Sequence, residues 1–168
     1  MLYSPPAFWY SPTVAVVQLE KNASALLFSV DSWAGGSGSQ IHFALLRPGR
    51  GKDLQDLFLS DMSVSNQSEY AFWNDFSISD AQIFVMANYV WGPDEAHYDN
   101  HRYIISAYVR KPSSILDDLY YYLEDRYMTV HKYDLDANAD ILGSEKQEIL
   151  ARLRRVKAET ELQQKADH

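Results

Sequence analysis

The run Asp94-Glu95-Ala96-His97-Tyr98-Asp99-Asn100-His101 concentrates two imidazoles and three carboxylates in eight residues. On a strand, His97, Asp99 and His101 share one face; on a helix, His97 and His101 meet at i and i+4. Either arrangement suits a zinc-like ion. With Glu95 as base, the cluster would serve a metal-dependent hydrolase, provided one coordination position stays open for water. The metalloprotease spacing wants a glutamate directly after the first histidine, and Tyr98 stands there instead. The plainer reading is a solvated loop between a strand ending near Trp91 and another beginning near Arg102. In that reading Trp91, His97, Tyr98 and His101 form a contact surface for a protein or a glycan.

A second cluster begins at Asp134. Asp134, Asp136, Asn138, Asp140 and Glu145 occupy positions one, three, five, seven and twelve of a loop that resembles the calcium loop of an EF-hand, with Ile141 at position eight. Ala139 stands where that loop wants the glycine of its sharp turn, and Gly143-Ser144 looks like a helix start. The resemblance implies calcium as the one cofactor of the chain and requires an entering helix before Asp134. Without calcium, residues 134–145 are an acidic turn whose Asp and Asn side chains satisfy local backbone groups.

Other chemistries find less support. There is no cysteine, hence no thiolate nucleophile, zinc-finger spacing or disulfide. No Gly-x-Ser-x-Gly elbow occurs, and the glycine-rich stretches 35–39 and 49–52 match no phosphate-binding pattern. The formal charge of −8 predicts no nucleic-acid partner. Arg152, Arg154, Arg155 and Lys157 alternate with Glu148, Glu159 and Glu161, the signature of a solvated helix face. Twelve tyrosines and four tryptophans supply flat amphipathic side chains. If Trp33, Trp73, Trp91, Tyr98, Tyr120 and Tyr122 face solvent, they would serve a carbohydrate or protein surface.

The elements that must position these groups are mostly strands. Val14, Val16, Val17 and Leu19 precede a polar turn at Glu20-Lys21-Asn22, and Ala25, Leu26, Leu27, Phe28 and Val30 follow it, which predicts a hairpin. Residues 34–39 are too rich in glycine and serine for regular structure and predict a flexible loop into a strand over 40–46. Residues 69–73, 81–91 and 102–110 carry further strand patterns. Leu54, Leu57, Phe58 and Leu59 fit a helical turn or a strand equally. Residues 119–133 decide the class: their Tyr, Thr and Val content favours a strand, although Leu116, Leu119, Leu123, Tyr127 and Val130 would also stripe a helix. Ser144 and Gln147 form a capping box ahead of Ile149, Leu150, Leu153 and Val156, so a helix is predicted from about Glu145 with a frayed end toward His168.

These patterns predict one domain over 1–168: mainly β, an antiparallel sandwich or open barrel with a C-terminal α-helix over 144–168. An α+β fold with two C-terminal helices is the alternative. Residues 1–12, with aromatics between prolines, suit an extended N-terminal arm, and they lean toward an exported bacterial protein, periplasmic or secreted, whose signal peptide is not in this chain. No apolar stretch approaches the ~20 residues that span a bilayer. The function expected is a non-catalytic binding or interaction module, with the hydrolase and the calcium loop as alternatives.

Overall fold

The structure is a computed structural model, and it describes residues 9–33, 39–49, 53–58, 62–65, 68–90, 96, 100–110, 120–131 and 140–166. It is mainly antiparallel β with one C-terminal helix, the class the patterns predict. Residues 119–133 were the deciding stretch, and Tyr120–His131 is a strand. The alternative with two C-terminal helices is therefore set aside. Aromatic and β-branched residues fit a pleated surface better than a helical turn. By its contacts the chain divides into two compact units, Met1–Gln67 with Pro112–Tyr120, and Ser68–Lys111 with Tyr121–His168.

The first unit holds a sheet of five strands: β1 (Trp9–Glu20), β2 (Ala23–Trp33), β3 (Ser39–Pro48), β4 (Leu54–Asp56) and β5 (Met62–Ser65). β1 pairs with β2, β2 with β3, and the far edge of β3 is shared by β4 and β5. The hairpin turns at Lys21-Asn22, where Gln18 Nε2 donates to the Glu20 carbonyl and Ser24 Oγ donates to Gln18 Oε1. The register of β1 slips between Tyr10 and Thr13, which brackets Pro12. Proline has no N–H to give a ladder, so a bulge near an edge is where a strand tolerates it. Of the ambiguous run, Leu54 opens β4, Leu57 and Phe58 follow its end, and Leu59 lies outside the described residues; Asp56 Oδ1 accepts the N–H groups of Leu45 and Phe58 at 3.1 Å each. Leu19, Ala25, Leu27, Phe43, Leu45, Leu57, Phe58, Met62 and Val64 are buried. β5 was not predicted: four residues of alternating Met, Ser and Val carry too short a pattern to stand out. Residues 34–38 of the predicted flexible loop lie outside the described residues, and Ser39 already pairs with Trp33.

The second unit holds a sheet of four strands in sequence order: β6 (Glu69–Trp73), β7 (Ile83–Val90), β8 (His101–Arg110) and β9 (Tyr120–His131), followed by α1 (Ile141–Ala166). Alternation sorts the two faces. Ile83, Val85, Ala87 and Tyr89 of β7 and Tyr103, Ile105, Ala107 and Val109 of β8 share one core with Ile141, Leu142, Ile149, Leu150 and Leu153 of α1. On the opposite face Phe84 is fully buried, with ring centroids of Phe72, Tyr108 and Tyr70 at 4.9, 6.0 and 6.4 Å. Side chains two apart on a strand point the same way, so one strand serves both layers.

The helix starts earlier than predicted and runs further. It begins at Ile141 rather than near Glu145, and it is regular through Ala166 rather than frayed from 158. The cap is Asp140, whose Oδ1 accepts the Gly143 N–H at 2.9 Å. The predicted capping residue Ser144 lies inside the first turn and donates its hydroxyl to the Ile141 carbonyl. A Cβ on Gly143 would fall 2.0 Å from Asp140 Oδ2, so only glycine lets the capping carboxylate lie this close. The capping signal was real, but an Asp four residues upstream outcompetes the serine. No helix among the described residues is long and apolar enough to cross a membrane.

Candidate functional site

The start of α1 is built by residues far apart in sequence. Its first turn, Ile141-Leu142-Gly143-Ser144, contains no acid. The negative charge that helix N-termini attract comes from outside. Glu69, the first residue of β6, accepts the Ile141 N–H at Oε1 and the Leu142 N–H at Oε2, both at 2.9 Å. Together with Asp140 it satisfies three of the four amides that a helix leaves unpaired at this end. Beside them lies an open hollow of about 450 Å³ lined by Ser68, Tyr70, Trp73, Leu142 and Lys146 among others. The Lys146 ammonium stands 5.2 Å from the Trp73 ring centroid, within cation–π range. Both carboxylates of this hollow spend oxygens on backbone N–H groups, which makes it a helix anchor.

A second anchor lies farther along the helix. Asp75 Oδ2 pairs with Arg154 Nη2 at 2.5 Å, Arg154 Nε donates to Ser77 Oγ at 3.2 Å, and Lys157 Nζ donates to the Ser77 carbonyl at 2.9 Å. Asp75 Oδ1 also accepts the Ser77 backbone N–H. The Ser77 hydroxyl holds the Asp75 carboxyl below the usual carboxylate range, helped by Arg154 and opposed by partial burial. Phe76, between them, is 77% exposed. Along the same face Arg152 lies 3.9 Å from Glu148, and Lys157 also reaches Glu161 at 3.9 Å.

Of the residues singled out from sequence, few are brought together. His97 and Asp99, proposed as ligands with His101, lie outside the described residues, as do Trp91 and Tyr98 of the contact surface. His101 opens β8 as a buried residue, its Nδ1 3.0 Å from the Tyr89 hydroxyl and its ring edge-on to Tyr89 at 5.0 Å. It packs with Tyr89 and does not face solvent as a contact residue would. In the acidic loop, Asp134, Asp136 and Asn138 lie outside the described residues, Asp140 is the helix cap and Glu145 falls within α1. The element before the loop is β9, so the entering helix that the EF-hand resemblance requires is a strand. Among the described residues no three His, Asp or Glu side chains gather as metal ligands. Trp73, named as a possible exposed aromatic, is buried on the inner face of β6, where α1 covers it. The side chains of Trp33, Tyr120 and Tyr122 lie outside the described residues.

The surface that the sequence reading missed is apolar and belongs to β1. Every position from Pro12 to Val16 is exposed. Val14 is 60% exposed and Val16 73%, and Leu26, cross-strand from Val16, is 41% exposed. Directly opposed residues of an antiparallel pair point to the same face. Two rows therefore run across the sheet, Val16–Leu26–Leu46 and Val14–Phe28–Ala44. The other face of β1 carries Thr13, whose Oγ1 lies 2.5 Å from Ser29 Oγ, then Ala15 and Val17. From Ser11 to Leu19 the strand carries no charge. Among the described residues β1 pairs with β2 alone, so it is an edge. Pro12, two residues ahead of Val14, was the available signal, since proline in a strand marks an edge.

The chain matches no family model, no curated protein and no solved structure. Its functional reading accordingly rests on these surfaces.

Proposed function

We propose that this chain is a non-catalytic interaction module whose contact element is the edge and outer face of β1, and that it works by taking up an extended strand. The observation that carries this reading is the exposure of Val14 and Val16 on an edge strand uncharged from Ser11 to Leu19, with exposed Leu26 of β2 beside Val16. An edge presents a row of backbone donors and acceptors to any strand that lies beside it. In strand addition the main chain supplies affinity and alternate side chains supply selectivity. A strand with valine or isoleucine at alternate positions would continue the two apolar rows. Natural edges are commonly blunted with lysine or other charge, and β1 lacks this between residues 11 and 19.

The test is hydrogen exchange on the purified chain with and without a synthetic peptide of alternating threonine and valine, ended by lysines for solubility. Slowed exchange at the amides of residues 13–17, lost in Val16→Lys, is the expected result. Unchanged exchange in β1 at millimolar peptide, or slowing confined to other strands, overturns the reading. A panel of soluble oligosaccharides run the same way separates a glycan surface from a strand acceptor.

A further inference from the structure

We infer that the strand taken up by β1 is the β1 of a second copy of this chain, paired antiparallel about a two-fold axis at Ala15. This inference rests on the strand-acceptor reading above and names its occupant.

Charge leaves this strip open to a second copy, and self-complementarity selects it. Two copies each carrying a net −8 repel when their acidic surfaces approach. Residues 11–19 contribute nothing to that repulsion, so two copies can meet here without opposing like charges. A two-fold contact also requires a surface complementary to itself. An antiparallel pair of identical strands meets that requirement by construction, because position i faces position j wherever j faces i.

The side-chain pattern selects the register. With Ala15 opposite its own copy, Val14 faces Val16 of the other copy and Val16 faces Val14. Both stand in solvent, Val14 60% and Val16 73% exposed. Their rows then join across the axis, with Leu26 and Val16 of one copy running into Val14 and Phe28 of the other. On the reverse face Thr13 meets Val17 at either side of the Ala15 pair. Glu20, the one charged residue of β1, falls opposite position 10 of the other copy and meets no carboxylate. Moving the centre to Val14 sets Val16 against Pro12, and moving it to Val16 sets Val14 against Gln18. Only the Ala15 centre pairs valine with valine twice.

The absence of cysteine from the sequence makes this register directly testable. In an antiparallel pair, opposed Cα atoms lie about 4.5–5.5 Å apart. A disulfide spans about 4.4–6.8 Å. Ala15→Cys at an exposed position should therefore form a covalent dimer under mild oxidation. Gln18→Cys should not, because three residues of offset on each strand separate the two sulfurs by roughly 20 Å. Sedimentation of the unmodified chain should show mass doubling as concentration rises. The dimer fraction should grow between about 20 mM and about 0.5 M salt as repulsion is screened. Val16→Lys should remain monomeric while its circular dichroism and melting curve match the parent chain.

A monomer at every concentration and salt, with no Ala15→Cys dimer, overturns the inference. A disulfide that forms at Gln18→Cys in preference to Ala15→Cys overturns the register. If the parent chain stays monomeric while the threonine–valine peptide still protects residues 13–17, the edge accepts strands and only the second-copy occupant is wrong. If neither is seen, both readings fail together.

Discussion

The outer rows of β1 and the inner stripe of α1 are made of the same kinds of side chain, and only the stripe is covered. Ile149, Leu150 and Leu153 are buried among β7 and β8 residues, whereas Val14 and Val16 stand in solvent. The stripe is accompanied by directional contacts at its start and at its fourth turn, through Glu69, Asp140, Asp75 and Ser77. The polar contacts of β1 near its valines serve its own hairpin, Thr13 to Ser29 and Gln18 to Ser24. Burial is the larger energy, but it is non-directional. The hydrogen bonds determine which apolar surface is committed to this fold and which remains available.

The largest expected effect tests the committed side. Ile149→Ala or Ile105→Ala removes a side chain about 1% exposed in the shared core. Each should cost about 2–5 kcal/mol in denaturant unfolding, from lost transfer energy plus the cavity left behind. If α1 were merely resting on the sheet, the loss would fall below about 1 kcal/mol, the range of ordinary surface substitutions.

Next in size are the caps. Glu69→Ala should cost about 2 kcal/mol, because the Ile141 and Leu142 N–H groups both lose a charged acceptor. Glu69→Gln keeps one acceptor oxygen and should lose about half of that. Asp140→Ala, which removes a single capping bond, should cost about 1 kcal/mol. The order Glu69→Ala, then Asp140→Ala, sharpens the comparison, since it would place the stronger pin on the sheet rather than in the helix's own cap.

The Asp75 knot is weaker and pH-dependent. Arg154→Ala should cost about 0.2–1 kcal/mol, the range of an exposed pair. The Asp75 carboxyl titrates below its ordinary value of 3.8, so the folded state favours the ionised form. Its contribution is fully present above about pH 4 and is lost as the pH falls through the lowered folded value. The stability gap between the parent chain and Asp75→Asn should therefore be seen at pH 7 and should close toward pH 2. A gap that widens on acidification would reverse the sign and remove the carboxylate from the anchor.

The helix anchors also mark where the sequence was legible. Alternation, apolar runs and turn residues located β1, β2, β3, β6, β7 and β8, and the aromatic and β-branched content of 120–131 identified β9. The first turn of α1 escaped because its strongest cap, Glu69, lies 72 residues upstream of the amide it receives, and local motifs carry no record of such a partner. β5 escaped because alternation over four residues is too short a signal. The partners of His101 and Asp140 escaped for a related reason. Each has a polar partner in the fold, the Tyr89 hydroxyl and the Gly143 amide, that the sequence does not display. For β1 the alternation of Val14 and Val16 with Thr13 and Ala15 told which residues share a face. Whether anything covers that face depends on the neighbours of the sheet, and only the proline ahead of the run hinted at an edge.

The smallest stability effect is the one that matters most for function. Val16→Thr keeps the branched shape and strand preference of the side chain while making it polar. At 73% exposure it removes almost no buried surface, so unfolding free energy should change by no more than about 0.5 kcal/mol. Self-association should nevertheless weaken, because Val16 would face Val14 of the second copy, where a hydroxyl must give up water without gaining a partner. A loss of several kcal/mol in the isolated chain would show that Val16 is core after all, and the contrast between β1 and α1 would collapse. Unchanged stability together with reduced dimerisation would separate the two surfaces by function as well as by exposure.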